Sequence, residues 1–249
     1  MSDNRFMRTQ ALLGKQNFAR LQKSTVMIIG LGAVGGYALE ALARAGIGRL
    51  ILVDFDTVDI TNINRQILAL DSTIGQSKAR LAAQRVKDIN PQCKVVVKEV
   101  FVNDKTLPDL LSEPVDFVVD AIDSLNPKCG LIEELVNRSI PFISSMGAAL
   151  KTNPAHIKLQ TLNKTRNCHL ARFIRKRLKR RGVDISKVLC VSSDEQVDLP
   201  ETALFIEPDS QPEGNTRQRH TMGSLPTITA IFGLTIANAV ILSLSAPAN

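Results

Sequence analysis

Tryptophan is absent from this 249-residue chain, tyrosine occurs once (Tyr37), and aromatic residues amount to only 4%. The four cysteines (Cys93, Cys129, Cys168, Cys190) are scattered and form no Cys-x-x-Cys pair. Neither a zinc ribbon nor a disulfide framework fits, so a reducing, cytoplasmic setting is expected. Fourteen glycines and eleven prolines are too few for low-complexity linkers, and 44% hydrophobic against 22% charged residues excludes a disordered or collagenous chain. The opening MSDNRFMRTQALLG carries charges where a signal peptide needs an apolar stretch, so no such signal is read.

Acidic residues are missing between Leu135 and Val183, where twelve are basic. The chain's net charge is +7, so the remainder is acidic, at −5. One basic region on an acidic body points to a polyanionic partner. Charge is also missing from Met222 to Asn249. Residues 228–244 are long enough for a membrane span, but Thr227, Thr229, Thr235 and Asn238 recur there, Pro226 opens the segment and Gly233 interrupts it. A buried helix closing a core is the preferred reading. Membrane insertion is disfavoured, and association with a membrane is left as the lesser alternative.

What is present is an alternation of β-branched runs and helical patterns over residues 24–145, the mark of βαβ units and a parallel sheet. Strands are expected at 25–30, 50–53, 94–100, 116–120 and 141–145, with helices at 34–45, 78–89 and 128–138. After Gly147 the pattern changes to an alternating strand (156–162), a helix (168–181), short strands near 188–191 and 203–206, a polar loop (209–220) and the closing helix. The fold class is α/β: a Rossmann-like doubly wound sheet with helices on both faces, its parallel N-terminal part continued by antiparallel strands. Residues 1–147 read as a nucleotide-binding region and 148–249 as a basic region of the same domain.

Gly30-Leu31-Gly32-Ala33-Val34-Gly35 stands where a strand ends and a helix begins. There the first glycine makes the turn, the second lets backbone approach phosphate and the third permits close helix–strand packing. The helix start offers unpaired N–H groups to an anion. Asp54 ends the next strand, where a carboxylate can accept ribose hydroxyls. The polar run from Asp54 through Asp56 to Gln66 then places Asn62, Arg65 and Gln66 beside it, and Gly75-Gln76-Ser77-Lys78 brings a lysine to another helix start. A dinucleotide that transfers hydride has little use for two extra cations. A triphosphate attacked at its α-phosphorus does, because departing pyrophosphate gathers charge that Arg65 and Lys78 can neutralise. Asp123, after the fourth strand, has two readings: a ligand holding Mg²⁺ against the phosphates, or an N-cap in a stretch where Ser124, Asn126 and Pro127 also mark a helix start.

GLGAVG, the DFDTVxxxNxxRQ run, GQSK and DAIDS together resemble the ThiF/MoeB class of ubiquitin-activating-type adenylating enzymes. The resemblance implies binding of ATP·Mg²⁺ and adenylation of a carboxylate, usually that of a ubiquitin-like protein. By it Gly30, Gly32 and Gly35 form the phosphate turn, Asp54 and Asp56 with Asn62, Gln66, Arg65 and Lys78 line the nucleotide, and Asp123 holds magnesium. A homodimer is also implied, with an N-terminal arginine reaching the partner's ATP; Arg8 is placed for this. Departures narrow the branch. The zinc-binding cysteine pairs of sulfur-carrier activators are missing, and residues 216–223 lack a cysteine. The opening RFxxxxxLxG, DAIDSxxPK with Lys128, the basic helix and TAIFG (229–233) resemble instead the tRNA threonylcarbamoyladenosine dehydratase branch. That likeness implies adenylation and cyclisation of the modified adenosine at position 37 of certain tRNAs, and sulfur-transfer proteins as further partners. Activation of a sulfur carrier is the alternative within the family.

Residues 164–181 carry nine cations and no acid. Leu170, Phe173, Ile174 and Leu178 are expected on one helical face, with Arg172, Arg175, Lys176, Lys179 and Arg180 on the others. Such a helix either presents cations to a tRNA backbone or is a solvated surface. Arg217, Arg219 and His220 form a smaller basic cluster that suits an anticodon loop, a substrate carboxylate or plain surface. Cys190, after an apolar run, reads as a packed small hydrophobe.

Overall fold

The computed structural model describes residues 5–197, 204–206 and 220–247. Two helices, α1 (Met7–Leu13) and α2 (Lys15–Lys23), lead into strand β1 (Thr25–Ile29). Then follow α3 (Gly35–Ala45), β2 (Arg49–Val53), α4 (Lys78–Ile89), β3 (Lys94–Lys98), the short α5 (Leu107–Leu110), β4 (Phe117–Asp120), α6 (Leu125–Asn137) and β5 (Phe142–Ser145). The remainder comprises β6 (Ile157–Thr161), α7 (His169–Arg180), β7 (Leu189–Ser193), β8 (Leu204–Ile206), β9 (His220–Met222) and α8 (Pro226–Ser245).

Seven strands form one sheet in the order β3-β2-β1-β4-β5-β7-β6. All neighbours run parallel except the edge pair β6–β7. The continuation is therefore only partly antiparallel: β7 pairs in parallel with β5, and the strand at 204–206 pairs with β9 in a separate ribbon instead of joining the sheet. Strand order reverses between β1 and β4, so their carboxyl ends flank a crevice.

Helices cover both faces, which is why the central strands read as unbroken apolar runs. Val26, Ile28, Leu50 and Leu52 point to one face and pack under α3, α4 and α8. Met27, Ile29, Ile51 and Val53 point to the other, under α5, α6 and α7. The closing helix buries Ile228, Phe232, Ile236, Ala237 and Val240 against the first face. It crosses α3 closely at Gly233, where a Cβ would lie 2.4 Å from the Val34 carbonyl oxygen. Thus α8, although long and apolar enough to span a membrane, is partly buried in this fold.

Candidate active site

The crevice between β1 and β4 is built first from backbone. Gly30 has φ +89°, and a Cβ there would come within 2.8 Å of the Ala121 carbonyl oxygen, so the turns after β1 and β4 touch. At Gly35 a Cβ would fall 1.8 Å from the Gly30 carbonyl oxygen, which makes this the packing glycine of the turn. At Gly32 the nearest atom to a Cβ is Gln66 Nε2 at 3.8 Å, so space is left in front of the middle glycine.

Asp54 is 8% exposed and holds this turn from β2. Its Oδ2 accepts the Leu31 N–H at 2.6 Å and its Oδ1 the Asp56 N–H at 2.8 Å. Burial pushes the Asp54 carboxyl up from the usual aspartate range, against the lowering effect of those N–H groups and of the Lys78 charge. The polar run that follows is tied to the 75–78 segment: Val58 N–H donates to Gln76 O, Gly75 N–H to Val58 O, and Lys78 N–H to Asp56 O. These bonds bring Lys78, at the first position of α4, against Asp56, with Nζ 3.1 Å from Asp56 Oδ2. Lys78 is buried while Asp56 is half-exposed.

Asn62 and Gln66 are buried in the same run. Asn62 Oδ1 accepts the Asp59 N–H and closes a capping box around a short 3₁₀ turn. Among the described residues Gln66 Oε1 is buried without a hydrogen-bond partner, on the side chain whose Nε2 is the nearest atom to a Cβ at Gly32. An orphaned acceptor of this kind calls for a donor from a ligand. Arg65 belongs to the same turn, and its Nη1 donates to Thr61 O (2.9 Å) and Asn64 Oδ1 (2.7 Å). Both bonds use Nη1 alone. The exposed rings of Phe55 and Phe101, at the ends of β2 and β3, meet edge to face with centroids 4.8 Å apart at the rim.

Asp123 is exposed after β4 and accepts only a long bond from Ser124 Oγ, at 3.3 Å. It is not the N-cap. That place belongs to Ser124, whose hydroxyl makes no capping bond. Beneath Asp123 lies a buried network built on residues of the DAIDSxxPK run. Lys128 Nζ is 2.7 Å from Asp120 Oδ2, and Ser144 Oγ donates to the same oxygen at 2.6 Å. The Asp120 and Lys128 side chains have no exposed surface. The DAIDSxxPK run had marked Asp120 and Lys128 by resemblance, but nothing in it showed that the two pair with each other and with Ser144.

The basic helix α7 buries Ala171, Ile174 and Leu178. Phe173 departs from its expected place: it is 45% exposed and lies under the Arg172 guanidinium, 5.1 Å from the ring centroid. Arg172, Lys176, Lys179 and Arg180 face outward. Arg175 does not, because its Nη1 is bonded to the carbonyl and hydroxyl of Thr165. Of the smaller basic cluster, Arg217 and Arg219 lie outside the described residues, and His220 begins β9.

All four cysteines are buried and unpaired, and burial lifts the Cys190 thiol to about 12. Among the described residues no group of three or more His, Cys, Asp or Glu side chains gathers to hold a metal ion unaided. Two concavities, of about 370 and 320 Å³, lie away from the crevice, at the amino ends of β4, β5 and β7 and against α1 and α2.

The chain matches the ThiF family over residues 4–249. It is 37% identical to the tRNA threonylcarbamoyladenosine dehydratase of Bacillus subtilis over 238 residues, covering 95% of this chain and 91% of that protein. Among solved structures it superposes on the Escherichia coli tRNA N6-threonylcarbamoyladenosine dehydratase in complex with AMP, with a TM-score of 0.85, 33% identity and coverage of 97% and 94%. The same enzyme in complex with ATP gives a TM-score of 0.85 at 32% identity, covering 97% of this chain and 93% of that one.

Proposed function

The chain belongs to the ThiF family, and we infer that it uses ATP to activate and cyclise the threonylcarbamoyladenosine of tRNA, releasing AMP and pyrophosphate. Relatives that carry this activity match nearly the whole chain, and the solved ones bind ATP and AMP. The observation that carries the reading to this chain's own residues is the buried Gln66 Oε1, unpartnered among the described residues, on the side chain that lies next to Gly32. A hydroxyl or amino group of the nucleotide supplies the donor it lacks. Asp54 holds the turn and faces the ribose, and Phe55 with Phe101 offers aromatic surface to a purine.

The substrate carboxylate attacks the α-phosphorus, and pyrophosphate departs. The Lys78 ammonium and the Nε and Nη2 groups of Arg65 neutralise the leaving charge. The acyl-adenylate is then attacked from within the same nucleoside, and the carboxylate oxygen leaves with AMP. The nucleoside thereby loses one water. Nothing in this sequence needs a covalent enzyme intermediate, in keeping with buried thiols.

Asp123, with one exposed carboxylate, would hold a magnesium ion that needs only one or two protein oxygens. Bound there, the ion would offset phosphate charge. Residues 1–147 form the adenylation region and 148–249 the tRNA-facing region of one domain, with Arg172, Lys176, Lys179 and Arg180 toward the tRNA backbone. Arg175 serves that surface by fixing α7 on Thr165. The enzyme acts in the cytoplasm as a homodimer, with the exposed Arg8 of one copy reaching the other's ATP, and sulfur-transfer proteins are its further partners.

The test is incubation with ATP and tRNA from cells that lack this gene, followed by mass analysis of nucleosides. Loss of one water with stoichiometric AMP supports the reading. AMP formation that ignores tRNA and follows an added ubiquitin-like protein overturns it.

A further inference from the structure

We propose that Lys128 and Asp120 are positioning residues for Asp123, holding the turn after β4 in the shape the adenylation site requires; the proposal rests on the functional reading above. The turn bearing Asp123 runs straight into α6, yet the Ser124 hydroxyl makes no capping bond there. Its shape is instead set from below. Asp120 Oδ1 accepts the Ile122 N–H at 3.1 Å, while Oδ2 accepts Lys128 Nζ and Ser144 Oγ. One carboxylate thus ties together the end of β4, the 121–124 turn, the first turn of α6 and strand β5.

The chemistry of the pair argues for orientation over stability. Both side chains are wholly buried, and desolvating two opposite charges offsets most of their attraction. An ammonium in the first turn of a helix also meets the positive end of the helix dipole. Among the described residues Asp120 is the acidic partner of Lys128. What the pair fixes is local geometry. Ala121 N–H donates to Ile29 O, and the Ala121 carbonyl oxygen lies against Gly30, so the turn that Asp120 braces through the Ile122 N–H also abuts the glycine turn. A metal ligand and a phosphate cradle must share one register to bind Mg²⁺·ATP together.

The experiment uses the full-length protein carrying Asp120→Asn and Lys128→Met together, which removes both charges without stranding either. Thermal melting reports the fold, and calorimetric titration with a non-hydrolysable ATP analogue, with and without Mg²⁺, reports the site. The expected result is a folded protein whose Mg²⁺-dependent gain in analogue affinity falls about tenfold, with lower kcat and unchanged KM for tRNA. A folded double variant with the parent's Mg²⁺ dependence overturns the proposal. Should the double variant not fold, Ser144→Ala decides. It removes one donor to Asp120 and keeps the ion pair, and is expected to lower the same gain about threefold. An unchanged gain in Ser144→Ala then overturns the proposal. A parent protein that forms no AMP with tRNA sinks the functional reading instead. An active parent with impaired Asp123→Asn and an unaffected double variant sinks this proposal alone.

Discussion

The Leu31 amide donates to Asp54 Oδ2 at 2.6 Å, so the carboxylate that ends β2 is also the clamp on the glycine turn that ends β1. A residue expected only to meet ribose therefore has a second task. It holds the glycine turn, the proposed phosphate cradle, in place ahead of any ligand, an arrangement that would remove ordering cost from binding.

The glycines of that turn separate fold from function. Gly35→Ala drives a methyl into the Gly30 carbonyl and should cost about 3 kcal/mol or more in chemical denaturation. Gly32→Ala makes no more than an ordinary contact with Gln66 Nε2, at 3.8 Å, and should stay within about 0.5 kcal/mol of the parent. Its ATP affinity, read by calorimetry, should nevertheless fall about tenfold or more, because the methyl occupies the phosphate's approach. Normal ATP affinity in Gly32→Ala would remove the turn from the site.

Removing cations from the crevice should slow chemistry without unfolding the protein. Lys78→Ala frees a half-exposed Asp56 to hydrate, and Arg65→Ala loses only bonds within its own turn. Pyrophosphate release should drop on the order of a hundredfold or more in each, and equally in Asp123→Ala, with melting temperatures near the parent's. Near-parental release in Lys78→Ala and Asp123→Ala would discard the assignment.

Acid should weaken nucleotide binding through Asp54. Burial holds its folded pKa above the ordinary aspartate value of about 3.9, so it protonates earlier than an exposed aspartate as pH falls. The stability sign is the reverse: this group's contribution is present below the ordinary value and lost as pH rises through the folded one. Analogue titrations across pH should show an acid limb that Asp54→Asn abolishes. Persistence of that limb in the variant would assign it elsewhere.

On α7 the cations should divide by what they touch. Lys176→Glu, Lys179→Glu and Arg180→Glu combined should raise KM for tRNA about tenfold and flatten its dependence on salt, by about 0.7–0.9 in log–log slope for each phosphate left without its cation. Arg175→Ala should act mainly on stability, at about 1–2 kcal/mol, through removal of the Thr165 bonds. Unaltered tRNA binding in the triple reversal would make α7 mere surface.

Thiol chemistry should be silent. Burial lifts Cys93 to about 11 and Cys190 to about 12, so at neutral pH both stay protonated and enclosed. Alkylating agents should label the native protein only after denaturant is added, and Cys190→Ala should keep its turnover. A folded, inactive Cys190→Ala would point to a thioester and to the sulfur-carrier alternative.

Much of the fold could be read because its signals are local. GLGAVG fixed the β1–α3 turn, and the apolar runs at 50–53 and 116–120 became β2 and β4 within a residue. Helix α6 begins at Leu125, three residues earlier than expected, since Pro127 is tolerated in a first turn. Helices α1 and α2 escaped notice because α1 buries nothing and α2 buries only Phe18 and Leu21, too little for a visible stripe. Pairing choices, such as β7 beside β5 and β8 with β9, depend on chain reversal and are invisible in periodicity. The candidate site was legible as far as motifs name candidates, and the structure brings one of them, Lys78, against Asp56. It was opaque where a role comes from partners distant in sequence, as for Arg175 on Thr165 or Ser144 on Asp120.

The crossing of α8 over α3 at Gly233 has a bearing on biosynthesis. Every strand whose face α8 shields leaves the ribosome before α8 does. The nascent polypeptide thus waits with an uncovered greasy surface until its final helix is translated, and a premature stop codon upstream of Pro226 yields an aggregation-prone remnant instead of a smaller working enzyme.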